Sequence, residues 1–170
     1  NKNICIIGNL PLLAYSVAAG CRCKMIDDVF ITSDSQEYLN HSIRYGSVIP
    51  ILRPGSIAKD YSSDHEYFIH AIDYCEKESI LLPDLWVLLR PTTPFRNIDL
   101  LEDAILKFTN QGSDFTSLRS AHKAPESPYK WFKLDKNGNK YEPFIDSMKI
   151  KETNFPRQNF DEAYIPDGYI

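Results

Sequence analysis

The sequence predicts an α/β fold, a mostly parallel sheet with helices on both faces and a hairpin-bearing excursion late in the chain. Three observations carry this. From Asn1 to Ser120, short apolar runs alternate with segments of helical period, the pattern of parallel strands joined by helical crossovers. One run, Leu85-Trp86-Val87-Leu88-Leu89, is apolar without a break, as a central strand covered on both faces is. After Ala121 the helical period stops, and an Asn137-Gly138 turn separates two alternating runs, a strong hairpin signal.

Taken in order, Ile4 to Ile7 is a short apolar run closed by Gly8-Asn9, and Pro11 opens a helix, where its missing N–H costs nothing. Gly20 suits that helix's C-terminal stop. Asp28 to Ser33 reads as a buried strand, and Asp34-Ser35 caps a helix expected to reach Gly46. Val48 to Leu52 is a second strand, left by the loop Arg53-Pro54-Gly55-Ser56. A polar stretch through Ser63-Asp64 feeds a helix whose apolar face is Phe68, Ala71 or Ile72, and Cys75. The Leu85–Leu89 strand runs into Arg90-Pro91-Thr92-Thr93-Pro94-Phe95-Arg96. Asn97 then caps a helix facing inward with Leu101, Ala104, Ile105 and Phe108, and Asp114 to Ser120 is a further strand. In the excursion, Tyr129–Leu134 and Lys140–Phe144 flank the Asp135-Lys136-Asn137-Gly138 turn.

Composition excludes several classes. A chain of 170 residues with 43% hydrophobic and 25% charged residues is globular rather than disordered or fibrous. Nineteen Lys+Arg against 23 Asp+Glu, a net charge of −4, gives no basic footprint for nucleic acid. No apolar run approaches the ~20 residues of a membrane span, and no signal peptide precedes the first element, so neither a nucleic-acid nor a membrane partner is expected. Cys5, Cys21, Cys23 and Cys75 form no zinc spacing and read as reduced thiols of a cytoplasmic protein. His41, His65 and His122 form no metal spacing, and His70 reads as a packed histidine.

In parallel α/β sheets, ligands sit beyond the carboxyl ends of the strands. Arg53, Arg90, Arg96 and Arg119 all lie at or near such ends. A guanidinium is permanently charged and offers a planar fork for carboxylate or phosphate. Cations gathered there point to an anionic ligand, although each arginine taken singly could equally pair with a nearby surface acid. Lys130, between Tyr129 and Trp131, and Arg157, in Pro156-Arg157-Gln158, are the excursion's corresponding basic groups.

Several blocks then fall in a recognisable order: Arg53-Pro54, Ile57-Ala58-Lys59-Asp60, His70-Ala71, Leu88-Leu89-Arg90-Pro91-Thr92-Thr93-Pro94-Phe95-Arg96, Pro156-Arg157-Gln158 and Pro166-Asp167-Gly168. Together they resemble the acylneuraminate cytidylyltransferases, the CMP-sialic acid synthetases and their legionaminic and pseudaminic relatives. Lys2-Asn3 and Leu10 to Ser16 resemble the end of that family's nucleotide loop and its first helix. The resemblance implies a Rossmann-like α/β/α sandwich, with residues 1–120 as nucleotide-binding core, 121–164 as a dimerisation excursion and 165–170 as the return to the core. It implies transfer of CMP from CTP to a nonulosonic acid with release of pyrophosphate, in a cytoplasmic homodimer that uses Mg²⁺. By the same resemblance Lys2 is the catalytic lysine that closes the phosphate loop. Asn3, Arg53, Ser63 and Asp64 would contact the nucleotide, and Arg90, Asp167, Lys130 and Arg157 would serve the sugar side.

Departures from the family pattern also matter. The Arg-x-x-Ser-Lys loop would precede Asn1 and the magnesium aspartates would follow Ile170, so the metal ligands are expected outside this chain and the 170 residues alone are not expected to turn over CTP. Arg90 stands where glutamine is usual, Asp167 where asparagine is, and Asp64 where serine is common. The Arg90 and Asp167 changes preserve charge while altering hydrogen-bond geometry, which suggests an acceptor other than ordinary sialic acid. Another sugar nucleotidyltransferase, with a different base or sugar, and a non-catalytic dimeric homologue remain alternatives.

Overall fold

The computed structural model describes residues 2–112 and 115–170. The chain forms two units, Asn1–Leu118 with Gly168–Ile170, and Arg119–Asp167.

The first unit opens with a 3-10 turn, Lys2–Ile4, and a small antiparallel hairpin of β1 (Ile6–Ile7) and β2 (Leu10–Pro11). Gly8 takes φ +63° at the hairpin turn, a region that favours glycine. The Tyr15 hydroxyl donates to the Ile7 carbonyl at 2.5 Å and ties the hairpin to α1 (Leu12–Arg22). Pro11 sits at the N-cap of α1. Gly20 does not stop this helix; it lies inside it, where a Cβ would meet Val29 Cγ2 at 3.1 Å and Leu89 Cδ1 at 3.5 Å. The glycine serves close packing rather than a left-handed turn.

The expected parallel pair is present. β3 (Phe30–Ser33) and β4 (Ile49–Leu52) run parallel, with Phe30 opposite Ile49 and Ser33 opposite Leu52. The Ser35 hydroxyl caps α2 (Gln36–Ser42) by accepting from the Tyr38 N–H at 3.4 Å. This helix ends four residues short of Gly46. A Cβ on Gly46 would stand 2.6 Å from Cys21 Sγ and 3.0 Å from Val17 Cγ1, so Gly46 admits α1 rather than terminating α2. At α3 (Asp64–Lys77) the Glu66 carboxylate accepts the Ser63 N–H at 2.6 Å, one arm of a capping box. Asn97 caps α4 (Ile98–Asn110) by accepting from the Asp99 N–H at 2.9 Å.

The segment expected to be the central strand forms no ladder among the described residues. Residues 85–90 carry no strand assignment, although the packing partners of successive side chains alternate as in a strand. Leu85, Val87 and Leu89 pack on a cluster of Cys23, Leu101 and Ile105. Trp86 instead meets Phe30 and Phe68, with ring centroids 5.5 and 6.1 Å apart. An apolar run dictates which side chains leave water, whereas a ladder needs a neighbouring backbone in register, which the run itself does not specify. The strand expected at Asp114–Ser120 is absent from its described part, residues 115–120; Asp114 lies outside the described residues. The apolar content there is too sparse to bury a face. Burial raises the thiols of Cys23 and Cys75 above their usual range, and all four cysteines are free.

In the second unit β5 (Ala121–Lys123) pairs antiparallel with β8 (Tyr164–Pro166). β6 (Phe132–Leu134) and β7 (Tyr141–Pro143) form the expected antiparallel hairpin, Lys133 opposite Glu142. Its turn has Gly138 at φ +71°, and Asp135 Oδ1 accepts from the Asn139 and Lys140 N–H groups at 2.7 and 3.0 Å. Three short 3-10 helices, Pro128–Lys130, Ile150–Asn154 and Arg157–Asn159, complete the unit. Rings of Tyr129 and Phe160 stack at 5.2 Å. The unit carries few buried side chains, Thr153 among them. No described helix is long and apolar enough to cross a membrane.

Candidate functional site

Two of the predicted arginines leave different parts of the first unit and meet at the start of α3. Arg53 directly follows β4, and its N–H continues the ladder to the Ser33 carbonyl at 2.8 Å. Its guanidinium lies over the Tyr67 ring, 5.4 Å from the centroid, a cation–π arrangement. Its Nε is buried without a hydrogen-bond partner. Arg90 follows the Leu85–Leu89 segment, and its guanidinium pairs with the Asp64 carboxylate. Asp64 is the first residue of α3, where the helix N-terminus favours a negative side chain. The side chains of Arg90 and Asp64 are 49% and 44% exposed, so solvent screens the pair and leaves it open to competition from another anion.

Tyr67, which sequence reasoning passed over, joins these groups. Burial pushes its phenol well above the usual tyrosine range. The neighbouring Asp64 carboxylate adds to the shift, while Arg90 and Arg53 oppose it. The only sequence signal was its place three residues after Asp64, on the same helix face. Arg53 and Arg90 are the cations of this cluster, with the carboxylates of Asp64 on Arg90 and of Glu66 on Ser63.

The backbone of Arg90 is braced from behind. Its carbonyl accepts from the Ser16 hydroxyl at 3.2 Å, from Arg96 Nη2 at 2.9 Å and from the Thr93 N–H at 3.2 Å. Arg96 also donates to Ser16 Oγ at 3.0 Å and to the Tyr169 carbonyl at 2.8 Å. Burial lowers its guanidinium below the usual range. Arg96 is thus committed to holding the Pro91–Phe95 turn. Gly168, at φ +67°, sits where a Cβ would be 3.9 Å from Arg90 Cδ.

Other predicted residues occupy separate elements. Lys2 and Asn3 lie in the 3-10 turn that packs against α1. Ser63 caps α3 beside Asp64, its hydroxyl donating to Glu66 Oε2 at 3.3 Å. In the second unit, Asp167 accepts from the Ser120 hydroxyl and lies 3.9 Å from His122 Nδ1. Lys130 closes one 3-10 helix and is exposed; Arg157 opens another and donates to the Pro125 carbonyl. Arg119 is exposed. Among the described residues no group of three or more His, Cys, Asp or Glu side chains is placed to hold a metal ion.

A family model described as cytidylyltransferase matches residues 1–141. The chain belongs to the cytidylyltransferase family. An N-acylneuraminate cytidylyltransferase of Escherichia coli is 35% identical over 106 residues, covering 62% of this chain and 24% of that protein. A pseudaminic acid cytidylyltransferase of Campylobacter jejuni is 27% identical over 167 residues, 98% of this chain and 68% of that protein. A CMP-N,N'-diacetyllegionaminic acid synthase of Legionella pneumophila is 24% identical over 143 residues, covering 84% and 60%. This cytidylyltransferase chain therefore spans about a quarter of the E. coli relative and about two thirds of the Campylobacter one. The mixed α/β architecture agrees with a Rossmann-like cytidylyltransferase fold.

Proposed function

We propose that the protein transfers CMP from CTP to a nonulosonic, sialic-acid-like sugar. The anomeric hydroxyl oxygen forms a bond to the α-phosphorus, the bond from that phosphorus to the bridging oxygen breaks, pyrophosphate leaves, and the hydroxyl proton is released. The observation that carries the reading is the meeting of Arg53 and Arg90 at Asp64 and Tyr67. A polyphosphate and a sugar carboxylate both need fixed cations, and two guanidiniums held at a partly desolvated site can supply them. In this reading Arg53 and Ser63 serve the nucleotide and Arg90 the sugar carboxylate, with Asp64 holding Arg90 in register. Lys2 and Asn3 on the phosphate side, and Asp167, Lys130 and Arg157 on the sugar side, take their roles from the family resemblance.

Two of the three departures from the family pattern, Arg90 and Asp64, neutralise each other in an ion pair. That supports a retuned acceptor site rather than a lost one. Exposed apolar side chains on the second unit, among them Trp131, Phe132, Leu134, Tyr141 and Phe144, support a homodimer formed through it. Four free thiols support a reducing, cytoplasmic setting.

Pyrophosphate release by the native protein that carries this sequence, rather than by the 170 residues alone, measured with CTP, GTP or UTP against N-acetylneuraminic, legionaminic and pseudaminic acids, tests the reading. Release is expected with CTP alone among the nucleotides, and least with N-acetylneuraminic acid. Equal release with GTP or UTP, or none with any pair, would overturn it. Equal or better use of N-acetylneuraminic acid than of the others would remove the retuned acceptor while leaving the transferase.

A further inference from the structure

Three donors converge on one backbone oxygen, the carbonyl of Arg90. The Ser16 hydroxyl of α1 reaches it at 3.2 Å, Arg96 Nη2 at 2.9 Å and the Thr93 N–H at 3.2 Å. Arg96 Nη1 also donates to Ser16 Oγ at 3.0 Å, so Ser16, Arg96 and the Arg90 carbonyl close a ring of hydrogen bonds. We propose that Ser16 and Arg96 are positioning residues that anchor acceptor-side Arg90 to α1, a role that rests on the transferase reading above.

Holding the carbonyl sets the root of the side chain. This oxygen belongs to the peptide bond between Arg90 and Pro91. A residue before proline is pushed toward extended backbone, and with its carbonyl also fixed, the direction in which the Arg90 Cβ leaves the chain is set. The guanidinium reaches Asp64 from that root. The ring is itself confined. Ser16 is buried. Arg96 Nε donates to the Tyr169 carbonyl at 2.8 Å, and the Arg96 guanidinium lies 5.9 Å from the centroid of the Tyr169 ring. Only a planar fork spans acceptors on three separate segments in this way; a lysine ammonium is a single point charge. The same helix serves the nucleotide side of the transferase reading. Tyr15, next to Ser16, holds the β1–β2 hairpin through the Ile7 carbonyl, and the Lys2–Ile4 turn packs on α1. Anchoring Arg90 to α1 therefore fixes the acceptor cation relative to that side, and attack at phosphorus depends on such placement.

Steady-state pyrophosphate release by the native protein that carries this sequence tests the role. Arg96→Lys is expected to raise the acceptor-sugar KM about tenfold, the scale of a hydrogen bond to a charged group, and Ser16→Ala about fivefold, the scale of a neutral one. The CTP KM should stay unchanged in both. In an Arg90→Ala background neither substitution should raise the acceptor KM further, because both act through that side chain, whereas a merely structural role would add its penalty in either background. An unchanged acceptor KM, an equal rise for both substrates, or a full further rise without Arg90 overturns the proposal. Should Arg96→Lys fail to fold, Ser16→Ala, which removes one hydroxyl, decides alone. A wild-type protein that releases no pyrophosphate defeats the transferase reading instead, and hydrogen exchange at the Thr93 amide then decides the anchoring of Arg90. That amide should exchange about tenfold faster once a fellow donor to the same oxygen is lost. Unchanged exchange in Ser16→Ala and Arg96→Lys overturns the anchoring.

Discussion

Arg90 and Arg96 stand six residues apart in one motif, yet the fold uses them oppositely. All three donor nitrogens of Arg96 engage protein oxygens, on Tyr169, Ser16 and Arg90, so the side chain is structural. Arg90 lends its carbonyl to that brace while its guanidinium reaches a half-exposed carboxylate. The consequence is a clean division between substrates. Arg90→Ala should raise the acceptor KM by ~10- to 100-fold and barely affect CTP, while Arg53→Ala should do the reverse, since a charge-assisted contact is worth ~1.5–3 kcal/mol. Steady-state kinetics with each substrate varied in turn measures this. Equal effects of either substitution on both substrates would contradict the assignment. Both arginines were visible in the sequence as cations at strand ends, whereas Tyr67 was not. A tyrosine on a helix is ordinary until tertiary packing brings a guanidinium onto its face.

At the level of elements, glycines were read for the wrong property. Gly20 and Gly46 look like helix terminators, because a helix followed by glycine commonly ends there. Neither takes the left-handed conformation that such an ending requires. What they supply is room: Gly46 lets the chain after α2 approach Cys21 and Val17 of α1. Gly46→Ala should therefore destabilise the protein by about 1–3 kcal/mol, the usual cost of overpacking. Cys21→Ala in the same chain should restore most of the loss by removing the sulfur 2.6 Å from the new methyl. Denaturant midpoints of the single and double variants provide the check. An undisturbed midpoint in Gly46→Ala would mean the helices separate without penalty. Caps were read more successfully, because Ser35 and Asn97 act on N–H groups two or three residues away and need no distant partner.

For the whole molecule, the second unit poses the open question. Its hairpin is held by Asp135 and by an ion pair of Lys133 with Asp146, and a Lys123–Glu162 pair lies at the end of the β5–β8 ladder, while aromatic and aliphatic side chains face outward. Such a surface is stable in water chiefly when another surface covers it. The protein should sediment as a dimer, and Leu134→Asp should shift it to monomer with its far-UV circular dichroism intact. A wild-type monomer at tens of micromolar would remove the dimer from the proposal.

Local chemistry in the sequence by itself determined the capped helices, the strands β3 and β4, the Asn-Gly hairpin and the ordered motif blocks of the family. Each depends on residues near one another in the chain, or on a periodicity that a few residues can express. Tertiary structure alone decided that Leu85–Leu89 packs on both sides without a ladder among the described residues, that Gly20 and Gly46 are packing contacts, and that Arg53 meets Tyr67 while Arg90 meets Asp64 on the same helix. Those outcomes turn on which backbone or side chain arrives from far along the chain, and pairing between distant segments leaves no imprint in either segment read alone.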